Sequence, residues 1–259
     1  YIIRESTMNN ETKTIGSVEQ SFDIIETIEE LEEAGLSEIA SELSMSKSTA
    51  YTHLNTLRSG GYLVKEDGIY RLSCQFLRLG ATVQNKFDLY RRGKGPVDEL
   101  ADTTGERANL VIEEQGQGIC IHAANGQGMV DSAMSLGEQR YMHSTATGKA
   151  ILAHLPEERV NEIIDQYGLP GFTEATITTR DELNEELAKI RETDVSVDAE
   201  EAVTGLRCFA SPIVVDATPI GSVSVSGPSR VFSHPEYEEE LKEAVRDTAN
   251  IIQLEFVFS

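Results

Sequence analysis

Residues 36–72 read LSEIASELSMSKSTAYTHLNTLRSGGYLVKEDGIYRL, and the order of signals in this stretch decides the fold of the N-terminal region. Leu36, Ile39, Ala40 and Leu43 recur at helical spacing, then Ser44-Met45-Ser46 turns the chain. Ser46 is a good N-cap type, so a further helix is predicted over Lys47 to Ser59, with Ala50, Leu54 and Leu57 facing inward. Gly60 and Gly61 stop it. Two short strands follow, Tyr62 to Lys65 and Ile69 to Leu72, joined by Glu66-Asp67-Gly68, where Asp-Gly is a strong hairpin signal. Upstream, Val18, Phe22, Ile25, Ile28 and Leu31 lie three or four apart, which predicts an amphipathic helix from Ser17 that Gly35 ends. Three helices and a two-stranded wing make a winged helix-turn-helix over residues 17–73, preceded by a flexible tail over 1–16.

The chain carries 22 Lys and Arg against 44 Asp and Glu, a formal charge of −22, which by itself counts against a nucleic-acid partner. Its distribution changes that reading. Residues 17–43 hold nine acids and no base, whereas residues 44–80 hold Lys47, Arg58, Lys65, Arg71 and Arg78 against only Glu66 and Asp67. The outer side of the third helix offers Lys47, Ser48, Thr49, Tyr51, Thr52, His53 and Asn55, hydrogen-bonding side chains suited to base edges and phosphates in a major groove. The candidate DNA-binding set is therefore Ser46, Lys47, Ser48, Thr49, Tyr51, Thr52 and His53, with Lys65 and Arg71 on the wing. The competing reading, a polar solvated face, is outweighed by the turn, the wing and the local charge reversal together.

Downstream the text is mixed. A linker helix is expected over 74–94, from Cys74 to the break at Gly93-Lys94-Gly95-Pro96, with an apolar stripe that could pack on its own domain or on a second copy in a dimer. Residues 95–259 then read as an α+β domain. Expected there are a helix from Val97 to Thr104 and strands at Ala108 to Glu113, Gly118 to Ala124, Met129 to Ser132 and around Arg140 to Met142. Helices follow at Thr147 to His154, Glu157 to Tyr167 and Arg180 to Glu192. A hairpin of Arg207 to Val215 with Ile220 to Ser226 precedes a last helix, Pro235 to Glu255.

Two segments in that domain are specific. Residues 142–153, MHSTATGKAILA, and the run from Asp198-Ala199-Glu200-Glu201 to Gly205-Leu206-Arg207-Cys208 and Pro212 resemble signatures of the IclR family of transcriptional regulators, as does Ser224-Val225-Ser226-Gly227-Pro228. The resemblance spans about residues 17–255. It implies a winged helix-turn-helix domain, a linker helix and a GAF-like effector-binding domain, assembled as a homodimer or tetramer on a palindromic double-stranded operator. It also implies a small-molecule effector among Ala146, Thr147, Asp198, Cys208, Ser224 and Ser226. The acidic excess, with only eight lysines, resembles a halophilic archaeal member.

Strand alternation puts Leu206, Cys208 and Ala210 on one face and Arg207, Phe209 and Ser211 on the other, and lets Ser224 and Ser226 share a face. The effector is then expected to be a small carboxylate or hydroxy acid. Its anion would be held by backbone N–H groups from Thr147 to Lys149 and by hydroxyls, with Asp198 accepting from a ligand hydroxyl or taking up a proton.

Catalysis and cofactors find no support. Gly148-Lys149 lacks the earlier glycine and the following Ser or Thr of a phosphate loop, and no GxSxG occurs. Cys120 and His122 lack a second pair for a metal, and the three cysteines are too few and too far apart for a disulfide framework. No apolar run reaches the length of a membrane span and the start lacks a signal peptide's order, so no membrane partner and a cytoplasmic location are expected. The alternative function is a metabolite-binding sensor or enzyme whose helix-turn-helix mediates protein contacts.

Overall fold

The computed structural model describes residues 13–126 and 134–258, which fall into two compact units meeting at Lys86 and Phe87. The expected strand at Met129 to Ser132, and most of the expected tail, lie outside the described residues.

The first unit runs α1 (Gly16–Glu30), β1 (Glu33–Gly35), α2 (Leu36–Glu42), α3 (Lys47–Ser59), β2 (Leu63–Glu66), β3 (Ile69–Leu72) and α4 (Gln75–Gln84). Ser46 caps α3 as expected, its hydroxyl accepting from the Thr49 N–H at 3.1 Å. The core is Ile24, Ile28, Ala34, Ile39, Leu54, Leu63 and Tyr70. Two expectations need correction here. The buried face of α1 is centred on Ile24 and Ile28, whereas Val18 and Phe22 are exposed. Gly35 does not end α1 either. The helix stops at Glu30, and Glu33–Gly35 adds a third strand to the wing, giving the order β1-β3-β2 with Gly35 opposite Ile69. The hairpin turn has Asp67 and Gly68 at φ 49° and 90°, the mirror-image turn that matches strand twist.

The single linker helix expected over 74–94 is two helices. α4 ends at Gln84, and α5 (Asp88–Thr104) runs unbroken through Gly93-Lys94-Gly95-Pro96. Packing explains why: α5 buries Leu89, Val97, Leu100 and Ala101, and a Cβ at Gly93 would come within 2.8 Å of Leu110 Cδ2. Burial of that stripe outweighs the helix cost of about 3 kcal/mol for an interior proline.

The second unit continues β4 (Arg107–Glu114), β5 (Gln117–Ala124), β6 (Gln139–Tyr141), α6 (Ala146–Leu152), α7 (Glu157–Tyr167), α8 (Arg180–Thr193), β7 (Ser196–Ala199), β8 (Leu206–Val215), β9 (Thr218–Pro228), α9 (Ser229–Phe232) and α10 (Pro235–Val257). Its antiparallel sheet has the order β6-β5-β4-β9-β8-β7. On one face, Leu110, Phe209, Val223 and Val225 share a core with Leu89 and Val97 of α5 and with Leu241 and Val245 of α10. A second core gathers Val111 and Met142 with Ile151, Ile163 and Leu187 of α6, α7 and α8. Alternation thus sends Val223 and Val225 to the α5/α10 face and leaves Ser222, Ser224 and Ser226 for the other. The β8–β9 turn is only Asp216-Ala217, both with positive φ, rather than the four residues expected.

Helix α6 approaches its neighbours so closely that a Cβ on Gly148 would stand 2.2 Å from the Met142 carbonyl oxygen and 2.5 Å from its Cα. Helix propensity alone favours Gly148→Ala by about 1 kcal/mol. The obstacle is backbone and cannot rotate away, so the expected outcome is the opposite sign, a loss of roughly 1–3 kcal/mol or more in a denaturation experiment. An unchanged or raised melting temperature would contradict this packing.

Candidate functional site

The sheet register assembles a polar patch from residues far apart in sequence. Asp198 on β7 lies opposite Cys208 on β8, and Cys208 lies opposite Ser226 on β9. One step along, Ala210 pairs with Ser224, which pairs in turn with Asn109 of β4. Above the patch, Ala146 and Ala150 of α6 pack on Ala210, three small side chains that let the helix come close. Between them is a cavity of about 60 Å³, bordered by Asn109, Thr147, Asp198, Cys208, Ser224 and Ser226. Of the six effector-binding candidates the structure brings five to this cavity. The sixth, Ala146, turns its methyl into the helix–sheet packing, and Thr145 and Thr147 form that part of the wall instead.

Burial makes the cavity chemically unusual. Among the described residues, Asn109 Oδ1, Ser224 Oγ and Ser226 Oγ are buried without a hydrogen-bond partner. Buried polar atoms normally find partners, and leaving one unmet costs about 1–3 kcal/mol. Cys208 itself is a neutral thiol, its pKa pushed up to about 12 by burial and by the nearby Asp198 carboxylate.

Asp198 is pushed up to about 7, chiefly by burial and next by the negative charge of Glu201; the N–H groups of Glu201 (2.7 Å) and Ala202 (3.3 Å), which donate to Oδ1, oppose the rise only in part. A carboxyl that keeps its proton in the fold but loses it near pH 4 when unfolded stabilises acid conditions. Its contribution is fully present below about pH 4 and is lost as pH rises toward 7. Asp198→Asn should remove this decline and raise stability above pH 7 by roughly 2–4 kcal/mol, read from denaturation midpoints across pH. A variant with the wild-type pH profile would contradict the assignment.

On the same helix α6, Lys149 is fully buried. Its Nζ donates to the Val197 carbonyl at 2.7 Å and pairs with Glu201 Oε1 at 2.5 Å, with Glu186 at 3.7 Å. Glu201 rises above the usual carboxylate range because burial outweighs the attraction of Lys149.

The expectation that backbone N–H groups from Thr147 to Lys149 hold an anion is corrected at Gly148 and Lys149 by the start of α6. Gly148 N–H donates to Thr145 Oγ1 and Lys149 N–H to the Thr145 carbonyl, both at 3.0 Å, so the helix caps itself. Arg207 also borders the cavity, although alternation put it on the other face, and its two terminal nitrogens are held by Ser233 and Glu238. Sequence reasoning missed Asn109, Thr145 and Arg140 in the cavity wall. A lone Asn amid the apolar run of β4 was the available signal for the first.

In the first unit, Lys47, Ser48, Tyr51 and Thr52 are exposed on α3, and Thr49 is half-buried with its hydroxyl 2.8 Å from Ser46 Oγ. His53 departs from its expected outward position. It is half-buried, its Nδ1 2.8 Å from Ser21 Oγ of α1. On the wing, Lys65 Nζ sits 4.7 Å from the centre of the Tyr70 ring and Arg71 pairs with Glu66 at 3.1 Å. No helix among the described residues is long and apolar enough to cross a membrane.

A winged helix-turn-helix unit followed by an α+β unit with a buried polar cavity is the architecture of a helix-turn-helix regulator. The comparisons agree along nearly the whole length. The family description "IclR helix-turn-helix domain" matches residues 17–67 and "Bacterial transcriptional regulator IclR C-terminal" matches residues 81–254. The probable HTH-type transcriptional regulator ArcR of Halobacterium salinarum is 32% identical over 255 residues, 96% of this chain and 97% of that protein. The chain belongs to the IclR family of transcriptional regulators. Among solved structures, the Thermotoga maritima IclR matches with a TM-score of 0.80 at 29% identity, over 93% of this chain and 99% of that one. An IclR homologue from Microbacterium hydrocarbonoxydans, solved with 4-hydroxybenzoate, shares the fold with a TM-score of 0.78 at 18% identity, over 94% of this chain and 100% of that one.

Proposed function

We propose that this regulator binds a palindromic operator through α3 and the wing, and that a small carboxylate or hydroxy acid in the Asp198–Ser226 cavity alters its affinity for that operator. The observation that carries the effector half is the set of buried, under-bonded atoms on Asn109, Ser224 and Ser226 facing one cavity. A ligand with several oxygens would satisfy them at once. A carboxyl poised near neutrality, as at Asp198, can donate to a ligand carboxylate when protonated and accept from a hydroxyl when ionised. The relative bound to 4-hydroxybenzoate, a hydroxy acid, supports that class.

The operator half rests on the exposed α3 face at Lys47, Ser48, Tyr51 and Thr52, with Ser46, Thr49, His53, Lys65 and Arg71 supporting it. Palindromic half-sites ask for a two-fold protein. Exposed apolar side chains on the first unit, Phe22 of α1 and Leu77 and Val83 of α4, favour a homodimer, with a tetramer the next assembly. A regulator of this kind works in the cytoplasm and needs no catalytic group.

The test of the effector half is a melting-temperature screen with keto acids, sugar acids and hydroxylated aromatic acids. At least one class should raise the melting temperature of the native chain, and Ser224→Ala, which removes a ligand partner without adding volume, should blunt the rise. No shift from any class would overturn the proposal.

A further inference from the structure

We infer that α3 reads its operator chiefly through the 5-methyl groups of thymines, using the Tyr51 ring and the Thr52 methyl. This rests on the proposal that α3 enters the major groove and adds what it recognises there.

The hydroxyls expected to read base edges already hold hydrogen bonds within the helix, which leaves them mainly acceptor capacity. Thr52 Oγ1 donates to the Ser48 carbonyl at 3.0 Å, and Thr56 Oγ1 to the Thr52 carbonyl at 2.9 Å. At the N-cap, Ser46 Oγ lies 2.9 Å from Ser48 Oγ and 2.8 Å from Thr49 Oγ1 while also accepting the Thr49 N–H. With Oγ1 of Thr52 turned back along the helix, the tetrahedral Cβ leaves its Cγ2 methyl as the outward group. Tyr51, one residue before it, is 49% exposed and presents an aromatic ring.

The forked donors that read guanine are missing from this face. No Arg or Gln occurs between Ser46 and Leu57, Arg58 lies in the last turn of α3, and Asn55 is half-buried. Lys47 is the one cation in the first turn, suited to a phosphate or a single guanine. Thymine is the only base that offers a methyl in the major groove, so an outward methyl and ring find their complement there.

The experiment selects an operator from a random duplex pool with the full chain, then resynthesises it with deoxyuridine in place of each thymine in turn, a change that removes only the methyl. Affinity should fall about fourfold at each contacted thymine, the worth of one buried methyl group. Thr52→Ser keeps the hydroxyl bond and should erase the thymine-over-uracil ratio at one position per half-site. Thr52→Val loses the hydroxyl, keeps the methyl, and should restore that ratio. Equal affinity for thymine and uracil at every position would overturn the inference, and so would a ratio that survives in Thr52→Ser but vanishes in Thr52→Val. Failure to enrich any sequence would instead overturn the DNA-binding proposal, and this inference with it.

Discussion

Lys149→Met should destabilise the second unit by about 3–5 kcal/mol, a loss large enough to depopulate the fold at moderate denaturant. The cost arises from what stays behind. Glu201, the carboxylate paired with the lysine, is buried, and its Oε2 lacks a hydrogen-bond partner among the described residues. Removing the ammonium takes away the only close counter-charge among the described residues and the hydrogen bond that Lys149 donates to the Val197 carbonyl. Either a carboxylate remains in a poorly solvated site or Glu201 takes up a proton, and both outcomes favour the unfolded chain near neutral pH. The double variant Lys149→Met with Glu201→Leu should recover much of the loss, because replacing both partners removes the stranded charge. Circular dichroism during urea unfolding reads both. A single variant within about 1 kcal/mol of the native chain would show that the pair is not the buried, mutually dependent one described above.

Lys47→Glu combined with Thr49→Ala should weaken operator binding by roughly 100-fold while leaving effector binding and oligomeric state unchanged. Lys47 is exposed in the first turn of α3, the part of a recognition helix that reaches the bases, and reversing its charge sets a carboxylate against phosphate at a cost of several kcal/mol. Thr49 takes part in the hydroxyl cluster at the N-cap, so its loss loosens the geometry that aims Lys47. Fluorescence anisotropy on the selected operator measures the change. Undiminished affinity would favour the rival view, in which the helix-turn-helix serves protein contacts.

The helix-turn-helix was legible because each local signal agreed with the fold. Ser46, the Gly60-Gly61 stop and the Asp67-Gly68 turn all act within a few residues, and they place α3 and the wing nearly where the structure has them. Failures came where distant packing overrides local chemistry. Gly93-Lys94-Gly95-Pro96 looks like a break, yet the sheet beneath holds α5 helical through it. The strand Ser196–Ala199 is too short to show a period of its own and exists because β8 pairs with it. In the cavity, alternation put Ser224 and Ser226 on one face of their strand, since period two is a backbone property, whereas only the family resemblance joined Cys208 to them. It could not foresee that the Thr145 hydroxyl would take the Gly148 N–H at the start of α6, because that cap depends on one side-chain rotamer. Nor could it foresee the Lys149–Glu201 pair, 52 residues apart, which only the folded sheet brings together.

The most direct test of the account is reciprocal linkage between the two units of the native chain. Operator affinity is measured with and without a saturating acid from the melting screen, and the affinity for that acid is measured with and without saturating operator. The account predicts that both change, by the same factor, in the range of about 5–150-fold. Binding of acid that leaves operator affinity untouched would contradict it.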